Sequence, residues 1–191
     1  MDGLDKHVRF VSGSPQFRVL ESTDEQAPVY RIYSQNDLLN DLSGIELDHG
    51  ESKIIRTNDE VFTLYTGDII FSLISGNACI VSKKHEGYMY TQNYIKLFTD
   101  SSINPTFLVY LLNEDQRIKK QFQIGLQGSS ILKYTLKQLR DLKLPVVPSL
   151  EKQKMIGDIY FKQLKVEALK KRVAEKERIL TFRRLERERY E

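Results

Sequence analysis

The order of apolar and polar positions changes along the chain, and the first part predicts strands. Between residues 17 and 98, β-branched and aromatic residues alternate or cluster in "FRVL", "VYRIYS", "VFTLYTGDIIFSLISGNACIVS" and "YMYTQNYIKLF". This pattern is typical of strands bounded by Gly, Asn and Ser. Gly67-Asp68 and Ser75-Gly76-Asn77 predict turns. We expect the "YMYTQNYIKLF" strand to pair with "DIIFSLIS" or its neighbour.

Apolar positions three and four apart predict helices in the later part. In "NPTFLVYLLNEDQRIKKQF", Asn104 is a natural N-cap and Pro105 occupies the first helical position. A glycine-containing polar loop, "IGLQGSS", separates this helix from a second one in "LKQLRDL" and from a strand in "KLPVV". A short helix is also predicted in "QNDLLNDL".

The last part of the chain predicts one long helix. From Leu150 to Glu191 there is no proline, and Ser149 can cap the segment. Its 42 residues would span about 62 Å at ~1.5 Å per residue. On a period of seven, one seam position is apolar in four successive heptads, at Ile159, Val166, Val173 and Leu180. Leu169 is the apolar residue at the companion seam position.

The apolar repeat of this helix is weak. The other companion positions carry Lys162, Lys176 and Arg183, which is too polar for a stable parallel zipper. Further apolar residues lie off the seam, so the helix is expected to contact more than one neighbour. Because so long a helix must project from a domain of fewer than 150 residues, a partner helix from another chain is favoured. The alternative is a helix that folds back on its own domain.

Composition places the chain among globular proteins. Its 191 residues are 40% hydrophobic and include 10 Tyr and 9 Phe, enough for one domain and an appendage. No apolar run approaches the roughly 18 residues of a membrane span, and the N-terminus has no apolar signal region. The single cysteine, Cys79, excludes an internal disulfide and suits a reducing cytoplasm. We expect Cys79 to be a small buried residue.

Charge is distributed unevenly. Residues from Ser149 onward carry 13 basic and 8 acidic side chains, so this part has a charge of +5 and the first 148 residues have −2. Between residues 117 and 143 only Asp141 is acidic, and seven residues are basic: Arg117, Lys119, Lys120, Lys133, Lys137, Arg140 and Lys143. Such a basic segment suits a surface that faces phosphates, although a solvated surface gives the same pattern.

Catalytic signals are weak. His7, His49 and His85 have no carboxylate or cysteine at metal-ligand spacing, and the sequence contains no glycine-rich phosphate loop. We therefore expect a binding protein that is not an enzyme, with no catalytic residue, no metal and no cofactor of its own.

The ordered set of motifs resembles a known family. "LDKHVRFVSGSP", "TGDIIFSLISGNACIVS", "YTQNYIKLF", "NPTFLVYLLN" and "GLQGSSILKYTLKQLRDLKLPVVPSLEKQKMI" precede the long helix in that order. Together they resemble the DNA specificity subunit of type I restriction–modification systems, most specifically at the junction that contains Glu151, Gln153 and Ile156. The usual member has two target-recognition domains, each followed by a long helix. This sequence has one of each, and is similar to a half-sized subunit.

The resemblance implies a fold and a set of partners. We expect an α+β fold, with a mixed, strand-rich target-recognition domain at 1–148 and a spacer or dimerisation helix at 149–191. It implies that the helix pairs antiparallel with a second copy, so that two identical domains read a bipartite, palindromic site in double-stranded DNA. It also implies methyltransferase subunits, which would hold S-adenosylmethionine, and a motor-nuclease subunit. No membrane partner is expected.

We expect the DNA contacts among polar side chains in turns and loops, because base edges are read by donors and acceptors. The first set is the loop "GLQGSSILK", with Gly125, Gln127, Gly128, Ser129, Ser130 and Lys133. The second set lies near presumed strand ends: Ser75, Asn77, Gln92 and Asn93, with Gln16 and Arg18 in a similar place. Tyr30, Tyr33 and Tyr65 could stack on a base or belong to the core.

Two other functions fit the same residues. The chain could be a regulatory or decoy module that binds the methyltransferase subunits without directing methylation. It could also be an oligomeric scaffold with no role in nucleic-acid binding.

Overall fold

The protein combines a small antiparallel sheet with helices on both of its faces. The computed structural model describes residues 2–46, 52–126 and 134–190. The strands are β1 Val8–Ser12, β2 Val29–Arg31, β3 Ile54–Arg56, β4 Ile69–Ser72, β5 Ala78–Ile80 and β6 Tyr94–Thr99. The α-helices are α1 Gln35–Ser43, α2 Pro105–Glu114, α3 Gln116–Leu126, α4 Leu136–Asp141 and α5 Leu150–Glu188. The 3-10 helices are Leu4–Lys6, Gln16–Arg18 and Lys83–His85.

The main sheet has the strand order β1-β6-β4-β5, and all its described neighbours are antiparallel. β4 pairs with β6, which confirms the expected pairing of "DIIFSLIS" with the later strand. All four residues of β4 are buried because the sheet is covered on both faces. β2 and β3 form a separate two-stranded sheet.

Alternate residues of the sheet belong to two apolar clusters on its opposite faces, because side chains of a strand point to alternate sides. Ile69, Phe71 and Leu97 pack with α2 on one face. Ile70 and Cys79 face the other way, toward α1 and the tyrosine-rich cluster. Cys79 is fully buried, as predicted. The expected α+β fold with a long C-terminal helix is confirmed.

The predicted N-cap of α2 is confirmed. The Asn104 side chain accepts hydrogen bonds from the backbone N–H groups of Thr106 and Phe107, and Pro105 begins α2. α1 and α4 match "QNDLLNDL" and "LKQLRDL", and each begins with a capping box. The predicted helix over 104–122 is in fact two helices. Asp115 ends α2 and its carboxylate accepts the N–H groups of Arg117 and Ile118, which starts α3.

Two predicted strands are wrong. "FRVL" contains part of the 3-10 helix Gln16–Arg18, in which Phe17 is exposed, so its apolar residues do not line a sheet. "KLPVV" forms only an isolated bridge between Lys143 and Gly3. Pro145 within it lacks the backbone donor that a continuing ladder would use.

α5 has 39 residues, close to the predicted 42, and its first turns are anchored to the domain. Ser149 is the N-cap residue, but its side chain makes no capping hydrogen bond. Gln153 is buried: its amide donates to the carbonyls of Ser102 and Pro148, and its Oε1 accepts from the Asn104 N–H. The alternative of a helix folded onto its own domain is therefore true of the first turns. From residue 169 to residue 190 all side chains are exposed.

Among the residues that the structure describes, no helix is long and apolar enough to cross a membrane.

Candidate nucleic-acid interface

One end of the main sheet gathers six of the twelve predicted DNA contacts. β1 and β4 finish at this end and β5 and β6 begin there, as the register shows by pairing Ser12 with Ile95, Ser72 with Tyr94 and Phe71 with Ala78. We call this part the sheet end and define it by the segments 13–18, 73–77 and 91–93. The sequence places these segments far apart, and only the antiparallel topology brings them together.

The turn between β4 and β5 presents Ser75 and Asn77. Ser75 is exposed and Asn77 is partly exposed. The Ser72 hydroxyl accepts from the N–H groups of Ile74 and Ser75 at 3.1 Å each, and the Ser72 N–H donates to the Asn77 carbonyl at 2.9 Å. These bonds hold the turn in one shape, which is a requirement for reading base edges.

The turn before β6 lies against the first one. The Leu73 N–H donates to the Asn93 carbonyl at 2.8 Å, and the Gln92 N–H donates to the Ser14 carbonyl at 2.9 Å. The Gln92 side chain is exposed, and that of Asn93 is partly buried. The side-chain amide of Gln92 is therefore accessible beside the turn that carries Ser75.

Gln16 and Arg18 follow β1 and are both exposed. Their segment is fixed by Ser14, which is buried and whose hydroxyl accepts from the Phe62 N–H at 2.8 Å. Gly13 is required by close packing, since a Cβ there would lie 2.5 Å from the Tyr90 and Thr91 carbonyl oxygens. Phe17 between them is 72% exposed, and sequence reasoning assigned it to a strand.

The loop "GLQGSSILK", the first set of predicted DNA contacts, lies mostly outside the described residues. Gln127, Gly128, Ser129, Ser130 and Lys133 lie outside the described residues. Gly125 does not belong to a loop, because α3 continues to Leu126. The helix extends one residue past Gly125, so this glycine does not end it.

The residue that follows this loop lies at the sheet end. The Tyr134 N–H donates to the Leu73 carbonyl at 2.9 Å. A Cβ on Gly76 would lie 2.3 Å from the Tyr134 ring, so Gly76 lets the ring pack on the turn. Gly76 also has φ of +72°, a conformation that favours glycine. Tyr134 thus packs on the turn that carries Ser75 and Asn77, a contact that no pattern in the sequence signals.

The Gln35 side chain supports the turn between β4 and β5 from its buried side. The Gln35 amide donates to the Ser72 hydroxyl at 2.9 Å and to the Tyr94 hydroxyl at 2.8 Å. Burial is the main cause that raises the pKa of the Tyr94 hydroxyl, so this group stays protonated. Sequence reasoning missed Gln35 and Ser72, because their roles depend on a contact between α1 and β4.

The tyrosines that could have stacked on bases differ in position. Tyr33 is buried, and its hydroxyl donates to Asp41 at 2.7 Å, so it belongs to the core and cannot contact DNA. Tyr30 is half-buried. Tyr65 is exposed, and the Lys96 ammonium lies 5.2 Å from its ring centroid.

A charged cluster fixes α1 to the sheet. His85 is buried, with Nδ1 2.8 Å from Asp41 Oδ1 and Nε2 3.3 Å from Asp37 Oδ1. Burial opposes the imidazolium, but hydrogen bonds and charges from both aspartates outweigh it and raise the pKa of His85 to about 9. In the described ranges, no group of His, Cys, Asp and Glu is arranged to hold a metal ion.

The predicted dimerisation residues lie on α5 and are uncovered. Ile159, Val166, Leu169, Val173 and Leu180 are all exposed, at 43–61% of their full surface. Exposed aliphatic side chains in a row are typical of a helix that lacks its partner.

The sequence is similar to one family over most of its length. Residues 16–178 match the family described as type I restriction modification DNA specificity domain. No curated protein is similar to the chain at a significant level.

Two solved structures share the fold. One is an HsdS subunit from Thermoanaerobacter tengcongensis, with a TM-score of 0.57 and 18% identity over 90% of this chain. The other comes from work on complex assembly and conformational transition of the type I R-M system, with a TM-score of 0.61 and 19% identity over 94% of this chain. This chain spans 39% and 42% of the lengths of those two chains.

Proposed function

The chain belongs to the family of type I restriction modification DNA specificity domains, and from this premise we propose that it acts as a homodimer that reads a two-part DNA sequence. Each copy supplies one recognition domain and one spacer helix. The chain itself carries no catalytic role, because the family consists of target-recognition subunits. Methylation and cleavage belong to its partners.

The observation that carries this proposal is the sheet end. Exposed amides and hydroxyls from Gln16, Ser75 and Gln92 lie on three segments that the backbone ties to one another. Such groups hydrogen-bond to base edges, and Arg18 beside them can neutralise a phosphate. Rigid turns support specificity, because a side chain held in one place distinguishes one base pair from another.

The symmetry of the target follows from the helix. If α5 pairs antiparallel with α5 of a second copy, the two domains lie at opposite ends of a rod and are related by a two-fold axis. Two identical domains related in this way read an inverted repeat, and the rod sets the gap between its halves.

The partners follow from the same proposal. Methyltransferase subunits that use S-adenosylmethionine would methylate adenines within the target, and a motor-nuclease subunit would cut unmodified DNA. In this arrangement the chain binds double-stranded DNA and holds the partners at the site.

The test is the methylation pattern of a whole genome. The chain is expressed with the methyltransferase subunit encoded beside it, and methyladenine is mapped. We expect a new symmetric two-part motif. An asymmetric motif would contradict the homodimer, and the absence of a motif from a complex that still co-purifies would favour a decoy that binds the methyltransferase without directing it.

Two variants connect the motif to the sheet end. Gln92→Ala should relax or abolish one base position, because loss of one base contact costs about 1–3 kcal/mol of discrimination. Ser101→Ala is the matched control: Ser101 is also exposed in a turn, but it follows β6 at the opposite end of the sheet. An unchanged motif for Gln92→Ala would remove Gln92 from the interface.

A further inference from the structure

The side chain that holds the turn between β4 and β5 comes from α1, outside the sheet end. We propose that this side chain, Gln35, is a positioning residue for DNA specificity, which acts through the Ser72 hydroxyl on the turn that presents Ser75 and Asn77. The inference rests on the proposed function, since it concerns how the sheet end distinguishes one base pair from another.

The Ser72 hydroxyl is the centre of the hydrogen bonds inside this turn. Ser72 is fully buried, and its hydroxyl oxygen accepts from the N–H groups of Ile74 and Ser75. A hydroxyl has one hydrogen to donate, and its lone pairs lie on the other side of the oxygen. The direction of that one hydrogen therefore decides whether the oxygen can accept from the backbone of the turn.

Gln35 sets the direction of this hydrogen. Its Oε1 accepts from the Ser72 hydroxyl at 3.2 Å, and its Nε2 donates back to the same hydroxyl oxygen at 2.9 Å. The other hydrogen of Nε2 is donated to the Tyr94 hydroxyl at 2.8 Å. Because Gln35 takes the hydroxyl hydrogen, the Ser72 oxygen is left to accept from the turn.

Gln35 has no free donor with which to read a base. Both hydrogens of its amide nitrogen are donated within the protein, and the side chain is partly buried. It is the first residue of α1 and follows the N-cap Ser34, whose hydroxyl accepts from the Asp37 N–H. The cap fixes the first turn of α1, so Gln35 is presented to β4 in one position.

The other end of the turn is held independently of Gln35. Asn113 of α2 is buried; its Oδ1 accepts from the Ala78 N–H at 2.7 Å, and its Nδ2 donates to the Ala78 carbonyl at 2.9 Å. Ala78 directly follows Asn77. Loss of the Gln35 amide should therefore loosen only the first part of the turn and leave the rest of the sheet end in place.

A loosened turn lowers discrimination between bases more than it lowers affinity. Phosphate contacts supply much of the affinity for DNA and carry no sequence information, whereas contacts to base edges specify the sequence. A Ser75 hydroxyl that moves can hydrogen-bond to more than one kind of base pair. We therefore expect one base position in each half-site to become degenerate while the other positions are kept.

The test compares methylation in cells that express each variant with the methyltransferase subunit encoded beside it. The measured quantity is selectivity, defined as methyladenine at motif sites divided by methyladenine at sites with one changed base pair. For Gln35→Met, which removes the amide and keeps the length of the side chain, selectivity should fall about fivefold or more at one base position. Ser72→Ala should lower selectivity at the same position.

The double variant Gln35→Met/Ser72→Ala tests the route of the effect. Its selectivity should equal that of Ser72→Ala within about twofold, because a residue that acts only through Ser72 has no effect once the hydroxyl is gone.

The matched control is Gln121→Met. Gln121 is also a partly buried glutamine on a helix, and its amide bonds to the N–H and the carbonyl of Lys143 at 2.8 and 2.9 Å. Lys143 bridges to Gly3, before β1, at the end of the sheet opposite to the sheet end. We expect Gln35→Met and Gln121→Met to lose similar stability in urea, and Gln121→Met to leave the motif unchanged.

Other outcomes overturn the proposal. An unchanged motif for Gln35→Met, with a clear motif for the wild type, would remove Gln35 from specificity and leave the proposed function intact. An equal loss of selectivity in Gln121→Met would assign the effect to lower stability, and a further loss in the double variant would exclude the route through Ser72. The absence of any motif for the wild type would overturn the proposed function together with this inference.

Discussion

His85 is almost fully buried and lies between two carboxylates. Asp41 accepts from the Tyr33 hydroxyl and lies 2.8 Å from His85, and the Asp37 carboxylate completes the capping box of α1 by accepting from the Ser34 N–H. Burial tends to raise the pKa of Asp37, but hydrogen bonds from His85 and Ser34 hold it below its usual value. The charged pair therefore fixes α1, and with it Gln35, against the sheet.

We predict that stability falls at alkaline pH because of His85. The pKa of His85 is raised to about 9 in the folded chain, above the ordinary histidine value of 6.5. Protonated His85 therefore stabilises the fold fully below about pH 6.5, and this contribution is lost as pH rises toward 9. The free energy of unfolding in urea should fall by up to about 3 kcal/mol between pH 6 and pH 9.5, at ~1.4 kcal/mol per pKa unit.

The variant His85→Gln provides the comparison. It should be less stable than the wild type at pH 6 and should lose most of the dependence on pH in this window. An equal fall in the variant would assign the effect to other groups.

At the scale of elements, the junction between α2 and α5 holds the long helix in place. Gln153 satisfies three backbone groups at the start of α2 and before α5, and Gly157 lets the two helices meet. Unpaired backbone groups are costly when buried, so one glutamine determines how the helix leaves the domain. This is a physical role for a residue that the sequence marked only by resemblance.

We predict that Gln153→Leu destabilises the fold by about 2–4 kcal/mol, because three backbone groups lose their partners. Chemical denaturation monitored by circular dichroism measures the change. The control is Gln163→Leu on the same helix, where the glutamine is exposed and donates only to Glu167. The control should change stability by less than about 0.5 kcal/mol. Equal effects would mean that Gln153 is not the anchor.

At the scale of the whole molecule, the basic segment before α5 does not form one patch. Lys143 bridges to Gly3, before β1, whereas Tyr134 joins the sheet end and Lys137 follows it on α4. α4 therefore runs away from the proposed interface. Among the described residues of α4, Lys137 is the basic residue nearest Tyr134 in the chain and is placed to meet phosphates there.

We predict a salt-dependent affinity for duplex DNA. With two phosphate contacts, the affinity should fall about tenfold between 50 and 200 mM NaCl, since each contact releases condensed counterions. Lys137→Gln should reduce this slope, and Lys143→Gln, at the other end of α4, should not. Fluorescence anisotropy with a labelled duplex measures both. An affinity that does not change with salt would favour a module that binds only proteins.

The sequence by itself determined the elements that local physics controls. Asn104 and Pro105 start α2 because capping and a fixed φ are local properties, and the absence of proline after Ser149 allows the one long helix α5. It also indicated the polar turns at 75–77 and 92–93 and a row of apolar residues that the structure leaves exposed on α5: Ile159, Val166, Leu169, Val173 and Leu180. It failed at Phe17, because an apolar run alone does not distinguish a strand from an exposed turn, and at Gly125, because a single glycine does not end a helix.

The tertiary structure decided which of these residues share a surface. The antiparallel order β1-β6-β4-β5 places Gln16, Ser75 and Gln92 at one end, although up to 76 positions separate them in the chain. It buries Tyr33, which the pattern left open, and it assigns one face of α5 to the domain and the opposite face to the outside. Caps and periods are set by neighbours in the chain, whereas surfaces depend on contacts between distant segments, and those contacts exist only in the folded molecule.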